Sequence, residues 1–395
     1  MKILFFTQYF WPENFLINDL ARELSKTNVI KTITSYPNYP TGKYFKGYKL
    51  FFNKNETWNK INISRVIVVP RKKGKPIDLI INYLSFAFFS FFKLLFLKNK
   101  KQYELCFVYA PSPLISLISI FLLKKIFNFK IYLWLQDLWP LVIYTKTNSN
   151  ILKRFIFLIC KFIYKKSDLI LVQSHDYTKY LVEQFNISEH KIIFFPNWSQ
   201  NQQKVNFQSS KKNKYKIIYT GNIGTAQNLS ILVEICKNYK LSNFEFHLYG
   251  DGRFKEQLKN EILKNKINNI FLHSPLPLDK LILEIEKYDV LFLSLSKEFS
   301  HTIPVKFQFY LSLGLPIIAS VDGYLKDLIN SKKIGFASEA NESNKLEEAF
   351  KSYSKLSEKE KTILVNNSYT LYTSVFSRDK AIIKINKLIR EKNCY

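Results

Sequence analysis

Short apolar runs alternate with longer amphipathic stretches from one end of the chain to the other, and the runs predict strands. A first series covers Lys2 to Phe6, Val29 to Ser35, Ile61 to Val69, Glu104 to Tyr109, Lys130 to Leu135, Asp168 to Gln173 and Lys191 to Phe195. A second covers Lys216 to Thr220, Phe244 to Tyr249, Asn269 to His273, Asp289 to Leu293 and Pro316 to Ser320. Many are apolar almost throughout, as expected of strands covered on both faces of a parallel sheet. Helical stretches between them give α/β order twice over, and further helices are expected at Asn344 to Lys355 and Ser377 to Lys392. Ser199 to Asn213 is polar and poor in large apolar side chains and reads as a linker. The expected domains are therefore 1–204 and 205–370, followed by a C-terminal helix in 371–395. Two doubly wound domains would leave a cleft facing the carboxyl ends of both sheets, so the informative residues are those just after each strand.

Composition narrows the classes. The chain has 395 residues, 47% of them hydrophobic and 23% charged, which suits two ordinary globular cores and excludes a small disulfide scaffold. Its four cysteines, Cys106, Cys160, Cys236 and Cys394, form no CxxC pair, which points to a reducing compartment. Net charge is +28, from 52 Lys and 7 Arg against 31 acidic residues, and 18 of those charges belong to residues 1–200. Part of the lysine excess, beside so much Phe, Tyr, Ile and Asn, fits an AT-rich coding sequence. No arginine-rich or aromatic nucleic-acid module appears, so nucleic acid is not the expected partner.

An anionic membrane surface fits better. Ile77 to Leu97 is rich in Phe, Leu and Ile and is followed by Lys98, Lys100 and Lys101, which suits an interfacial helix, although the same residues would serve an ordinary core. Its longest uncharged run, Leu79 to Phe92, is 14 residues, and the uncharged stretch from Leu105 to Leu123 is divided by Pro111 and Pro113, so no membrane span is expected. MKILFF runs directly into Thr7 and Gln8 and reads as a first strand, not a signal peptide.

Several strand ends carry candidate chemistry. In Tyr219-Thr-Gly-Asn-Ile-Gly-Thr-Ala-Gln-Asn228, Gly221 and Gly224 permit a tight turn and close approach to a ligand, and a helix from about Ala226 would offer amides to a phosphate. Such a glycine turn is equally an ordinary structural feature. Gly250-Asp-Gly-Arg253 is a second turn of this kind, with Arg253 placed to reach an anion. In His301-Thr-Ile-Pro-Val-Lys-Phe-Gln-Phe-Tyr310, Thr302 reads as an N-cap, Pro304 as first-turn proline and Gly314 as the C-cap. Lys306 in the first turn opposes the helix dipole, so a diphosphate is the expected reason for it, against the alternative of one more solvated lysine.

In the first half, Glu13 and Asn14 follow the first strand, and Tyr36-Pro-Asn-Tyr-Pro-Thr-Gly-Lys43, with Asn38, follows the next. Gln136-Asp-Leu-Trp-Pro140 sets Asp137 beside Trp139, where a carboxylate could hold an acceptor hydroxyl or take its proton. Helix capping is an equal account of Glu13, Asn14 and Asp137. The five histidines show no HxxxH or HExxH pairing, and there is no GxSxG elbow or Walker lysine, which disfavours metal, hydrolase and ATPase chemistry.

Taken together, QYFWPEN, YPNYPTGKYFKGY, QDLWP, FPNW, GNIGTAQ, GDGR and TIPVKFQFYLSLGLPIIAS resemble bacterial glycosyltransferases of family four, most closely the N-acetyl-fucosaminyl transferases of O-antigen and capsule assembly. The likeness runs from Met1 to about Ile329 with the motifs in order. It implies a GT-B fold, two Rossmann-like domains with parallel sheets facing across a cleft, and a C-terminal helix crossing back to the first domain. It also implies metal-independent retaining transfer, with no cofactor, from a UDP-sugar donor to a lipid-linked sugar acceptor; a catalytically silent scaffold of the same fold in a polysaccharide assembly complex and a nucleotide-sugar 2-epimerase are the alternatives. The protein would be cytoplasmic, peripheral on the inner face of the cytoplasmic membrane. On this reading Lys306 and Asp137 are catalytic; Gly221, Asn222, Gly224, Arg253, Thr302 and Gln308 bind donor; Glu13, Asn14, Asn38 and Trp139 bind acceptor. The chain departs from the wider family at the donor diphosphate, with Gly221-Asn222 and Gln227 where many members carry an arginine and a lysine, and with His301 and Phe309 where they carry glutamates.

Overall fold

A computed structural model describes residues 1–48, 55–111, 113–144, 147–199, 203–207, 214–237, 241–299 and 301–391. The expected linker Ser199 to Asn213 lies largely outside the described residues, as do Cys394 and Lys392. The chain divides into two units, Met1–Phe195 with Ile382–Tyr395, and Pro196–Ala381. The division thus falls ahead of residue 204, and the end of the chain belongs to the first unit.

In chain order the first unit contains β1 (Lys2–Phe6), α1 (Leu16–Leu24), β2 (Val29–Ser35), β3 (Asn55–Trp58), β4 (Ile61–Val66), α2 (Pro76–Leu95), β5 (Leu105–Ala110), α3 (Ile118–Leu122), α4 (Lys124–Phe127), β6 (Lys130–Leu135), α5 (Leu141–Tyr144), α6 (Asn150–Lys166), β7 (Leu169–Val172), α7 (His175–Phe185) and β8 (Ile192–Phe194). Its sheet has the order β3-β4-β2-β1-β5-β6-β7-β8, parallel except for β3, which pairs antiparallel with β4. β5 is buried at every position, which is why its apolar pattern is continuous. From β4 onward each crossover moves the same way across the sheet, so right-handed connections put α2, α3, α6 and α7 on one face and α1 on the other. Phe86 and Leu94 of α2, Ile120 of α3, and Cys160 and Ile163 of α6 share one buried core with Cys106, Leu133 and Ile170 of the sheet.

The second unit contains β9 (Tyr215–Thr220), α8 (Ser230–Cys236), β10 (Phe244–Tyr249), α9 (Lys255–Lys264), β11 (Ile270–His273), α10 (Leu278–Ile285), β12 (Val290–Ser294), α11 (Val305–Leu313), β13 (Ile317–Ser320), α12 (Gly323–Ser331), β14 (Gly335–Ser338), α13 (Ser343–Ser354) and α14 (Glu358–Leu371). Its parallel sheet has the order β11-β10-β9-β12-β13-β14. The chain winds outward in opposite directions from β9 and from β12, so a topological switch point lies between those strands, the place where open α/β sheets bind ligands. The last helix, α15 (Arg378–Arg390), buries Ile385, Leu388 and Ile389. It is tied to the first unit by the Tyr132 hydroxyl, which donates to the Leu388 carbonyl at 3.1 Å, and by Lys384, which donates to the Phe194 carbonyl at 2.7 Å.

Candidate functional site

Three loops interlock at the switch point of the second unit. Gly221 N donates to the Tyr249 carbonyl at 2.9 Å, Ile223 N to Asp251 at 2.8 Å and Ser296 N to Ala226 at 2.9 Å. The loops touch so closely that a Cβ on Gly250 would stand 1.8 Å from the Gly221 oxygen. Glycine is required there by contact, whereas Gly221 needs it for its backbone, at φ +118°. After β9 the chain makes a single 3-10 turn, Thr225–Gln227, before α8, so the helix expected from Ala226 begins only at Ser230.

Lys306 stands over this turn. Its ammonium donates to the Tyr219 hydroxyl at 2.5 Å and lies 3.8 Å from the centre of the same ring, a cation over an aromatic face. The Tyr219 hydroxyl in turn donates to the Asn222 carbonyl, and the Tyr310 hydroxyl accepts from Thr220 N at 2.9 Å, so two tyrosines brace the end of β9. Lys306 Nζ lies 3.5 Å from where a Cβ on Gly221 would stand, so the ammonium sits against the exposed backbone of that glycine. Burial pushes the Lys306 amine down to about 7.

The remaining expected donor residues divide. Gly224 N and Asn222 Nδ2 both donate to Gln227 Oε1, at 3.2 and 2.9 Å, which closes the turn on itself. Arg253 is exposed and makes no hydrogen bond among the described residues. Two expectations need correction. Thr302 is not the N-cap of α11: that place belongs to Pro304 in extended backbone, and the Thr302 hydroxyl donates to the Phe299 carbonyl at 2.8 Å. Proline costs nothing at a helix start, because the first amides have no acceptor within the helix. Gly314 does end the helix, at φ +77°. Gln308 is fully buried. With its amide oriented to satisfy both ends, its nitrogen donates to the carbonyls of Pro304 (2.8 Å) and Val305 (2.9 Å), so that nitrogen is committed to its own helix.

The first unit gathers a second constellation at its strand ends. Glu13 is buried, and its Oε1 accepts from Asn38 N and Tyr39 N, each at 2.8 Å, so it ties the loop after β1 to the loop after β2 instead of capping α1. Its Oε2 is buried without a hydrogen-bond partner among the described residues. Burial raises the Glu13 carboxyl to about 7 against the pull of those two amides. Asn38 is fully buried, its Nδ2 donating to the Tyr36 carbonyl at 3.0 Å. Trp139 is buried and its carbonyl accepts from the Tyr164 hydroxyl at 2.6 Å, while Asn14 is exposed. Asn38 and Trp139 therefore shape the loops from within.

Asp137 is half-buried, and its charge opposes ionisation of Tyr83, Tyr109 and Tyr177 around it. Tyr83 accepts from Arg71 at 3.5 Å, and the Arg71 guanidinium lies 5.1 Å from the Tyr39 ring and 5.9 Å from that of Tyr9. Asp137, Arg71 and the phenols of Tyr9, Tyr39 and Tyr83 thus form one polar, aromatic-walled group suited to a hydroxyl-rich ligand. Arg71, Tyr83 and Tyr219 escaped the sequence reading. Arg71, one of seven arginines, stands in the run Arg71-Lys72-Lys73 and was legible as a concentration of charge; nothing set Tyr219 apart from 23 other tyrosines.

Comparison with known proteins bears on the fold. Residues 200–370 match the family described as glycosyl transferases group 1. The second unit carries a glycosyltransferase domain. An uncharacterized glycosyltransferase of Methanocaldococcus jannaschii is 25% identical over 235 residues, which cover 55% of this chain and 56% of that protein, so the chain spans little more than half the length of that relative. Sucrose-phosphate synthase from Thermosynechococcus elongatus is similar in structure, with a TM-score of 0.73 at 15% identity over 100% of this chain and 99% of that one. The Anabaena protein HepE in complex with UDP gives 0.67 at 13% identity, covering 100% of both chains. The fold is that of GT-B glycosyltransferases, two parallel-sheet α/β domains.

Proposed function

We propose that the chain is a retaining, metal-independent transferase that moves a hexosamine-type sugar, N-acetyl-fucosamine in the expected case, from a UDP-sugar to a lipid-linked oligosaccharide in O-antigen or capsule assembly. The observation that carries this reading is Lys306, half-buried over Tyr219 beside the uncovered backbone of Gly221 at the switch point. HepE, similar in fold, is a protein crystallised with UDP and with UDP-glucose, which supports a nucleotide-sugar donor.

As the bond from the anomeric carbon to the diphosphate breaks, negative charge grows on the leaving oxygen. The Lys306 ammonium and the first-turn amides of α11 are fixed donors for that charge, so no reorganisation is needed when it appears. The acceptor oxygen bonds the anomeric carbon on the face from which the diphosphate departs, which retains the configuration. Asp137 would orient that hydroxyl and take its proton, while Glu13 holds the loop that shapes the acceptor pocket. His301 and Phe309, where the wider family carries glutamates, favour a second reading, a scaffold that binds UDP without turnover.

Incubation of the full chain with a panel of UDP-sugars and a lipid-linked acceptor tests the proposal through UDP release. Lys306→Ala is expected to slow release by about 10²- to 10³-fold, the loss typical of one fixed donor to a developing anion, and EDTA is expected to change nothing. UDP binding without turnover on any donor selects the scaffold; absence of both overturns the proposal.

A further inference from the structure

α2 is packed with its polar side inward. Its buried stripe is Asn82, Phe86, Ser90 and Leu94. Gln8 donates to Asn82 Oδ1 at 2.8 Å, Asn82 Nδ2 donates to the Val69 carbonyl at 2.6 Å, and the Ser90 and Ser119 hydroxyls bond at 2.8 Å. The opposite stripe, Ile77, Ile81, Leu84, Phe88, Phe92 and Phe96, faces outward, with Phe88 59% and Phe96 76% exposed. A water-facing helix normally shows the reverse arrangement. α3 packs against both α2 and α6, and it continues the apolar surface through Leu122 to Ile151, Phe155 and Leu158 of α6, each more than half exposed.

The charges around this face have one sign. Residues 71–101 contain eight Lys and Arg against the single carboxylate of Asp78, and residues 141–167 contain six against none. Large apolar side chains among cations match the headgroup and upper acyl region of an anionic bilayer, where rings are buried and ammonium groups reach lipid phosphates. A second copy of the chain would bring like charges together around the same rings, which disfavours self-association.

α2 is the one helix among the described residues long and apolar enough to cross a membrane. The hydrogen bonds of Asn82 and Ser90 fasten it to the loops after β1 and β4 and to α3, so its inner side is held against its own domain along its length. Its N-terminus follows Arg71, which stands over Tyr39 near Asp137, so the apolar face begins beside the acceptor loops.

We propose that the face formed by α2, α3 and α6 docks the first unit onto an anionic lipid bilayer. The inference does not depend on the donor chemistry. Co-sedimentation of the full chain with vesicles of phosphatidylcholine, with and without phosphatidylglycerol, tests it. Binding is expected only with the anionic lipid and should weaken as salt rises. Phe88→Ser/Phe92→Ser and Lys153→Glu/Arg154→Glu should each reduce partitioning by about tenfold or more, with unchanged circular dichroism. Lys306→Ala should sediment like the parent, which separates this result from failure of the transfer reading. Equal binding to both vesicle types, no binding, or a dimer abolished by Phe88→Ser/Phe92→Ser overturns the proposal.

Discussion

A lysine in the first turn of a helix works against the helix dipole, and Lys306 is also half-buried, so its ammonium carries two costs in the free protein. The Tyr219 ring offsets part of them, yet the amine still falls to about 7. A bound diphosphate would favour the charged form and raise that value. Binding is then linked to proton uptake in one direction: the ammonium is present below pH 7 and must be regained above it. UDP affinity is therefore expected to fall as pH rises from 7 to 9, by up to about tenfold per unit until the bound-state value is reached. Titration calorimetry across that range, in buffers of different ionisation enthalpy, would show both the fall and the proton uptake. In Lys306→Arg, whose guanidinium stays charged, the slope should vanish; a slope that persists would assign the titration to another group.

At the scale of elements, most of the βα alternation was legible because strands covered on both faces must be apolar throughout. Two strands were not. β3, with the sequence Asn-Glu-Thr-Trp, is an edge strand without an apolar run, and β14, Gly-Phe-Ala-Ser, is built mainly of small residues that imitate a loop. Thr302 and Pro304 are both good helix-start residues, and only packing decides between them. The inversion of α2 was hidden for another reason. Phe occurs on both of its sides, so periodicity could not say which side faces the sheet, and the decision lies with the bonds of Asn82 to Gln8 and Val69. Phe86→Ala should cost about 3–5 kcal/mol in urea unfolding, as for a ring removed from a core, while Phe88→Ala, two residues away and exposed, should stay within about 0.5 kcal/mol. Vesicle affinity should follow the opposite order. Equal stability losses would mean that the outward stripe is covered by protein in solution.

On the scale of the whole molecule, the end of the chain belongs to the unit that its beginning forms. Ile385 and Leu388 are buried, the Leu388 carbonyl accepts from Tyr132 of β6, and Lys384 reaches the Phe194 carbonyl at the end of β8. Tyr132 alternates with Ile131 and Leu133, which face the α2, α3 and α6 core, so it points to the opposite side of the sheet and α15 covers that side. The tail thus packs on the first sheet, on the side opposite the α2, α3 and α6 core. Ile385→Ala/Leu388→Ala should destabilise the first unit by several kcal/mol, since each truncation of a buried aliphatic typically costs about 2–5 kcal/mol. The loss should be local. In hydrogen exchange, amides of β6, β7 and β8 should lose protection while those of β9 through β14 keep theirs, and UDP affinity should hold because Tyr219, Gly221 and Lys306 lie wholly in the second unit. Loss of protection across both sheets would instead make the chain a single cooperative unit, in which the tail supports the proposed donor site as much as the proposed acceptor loops.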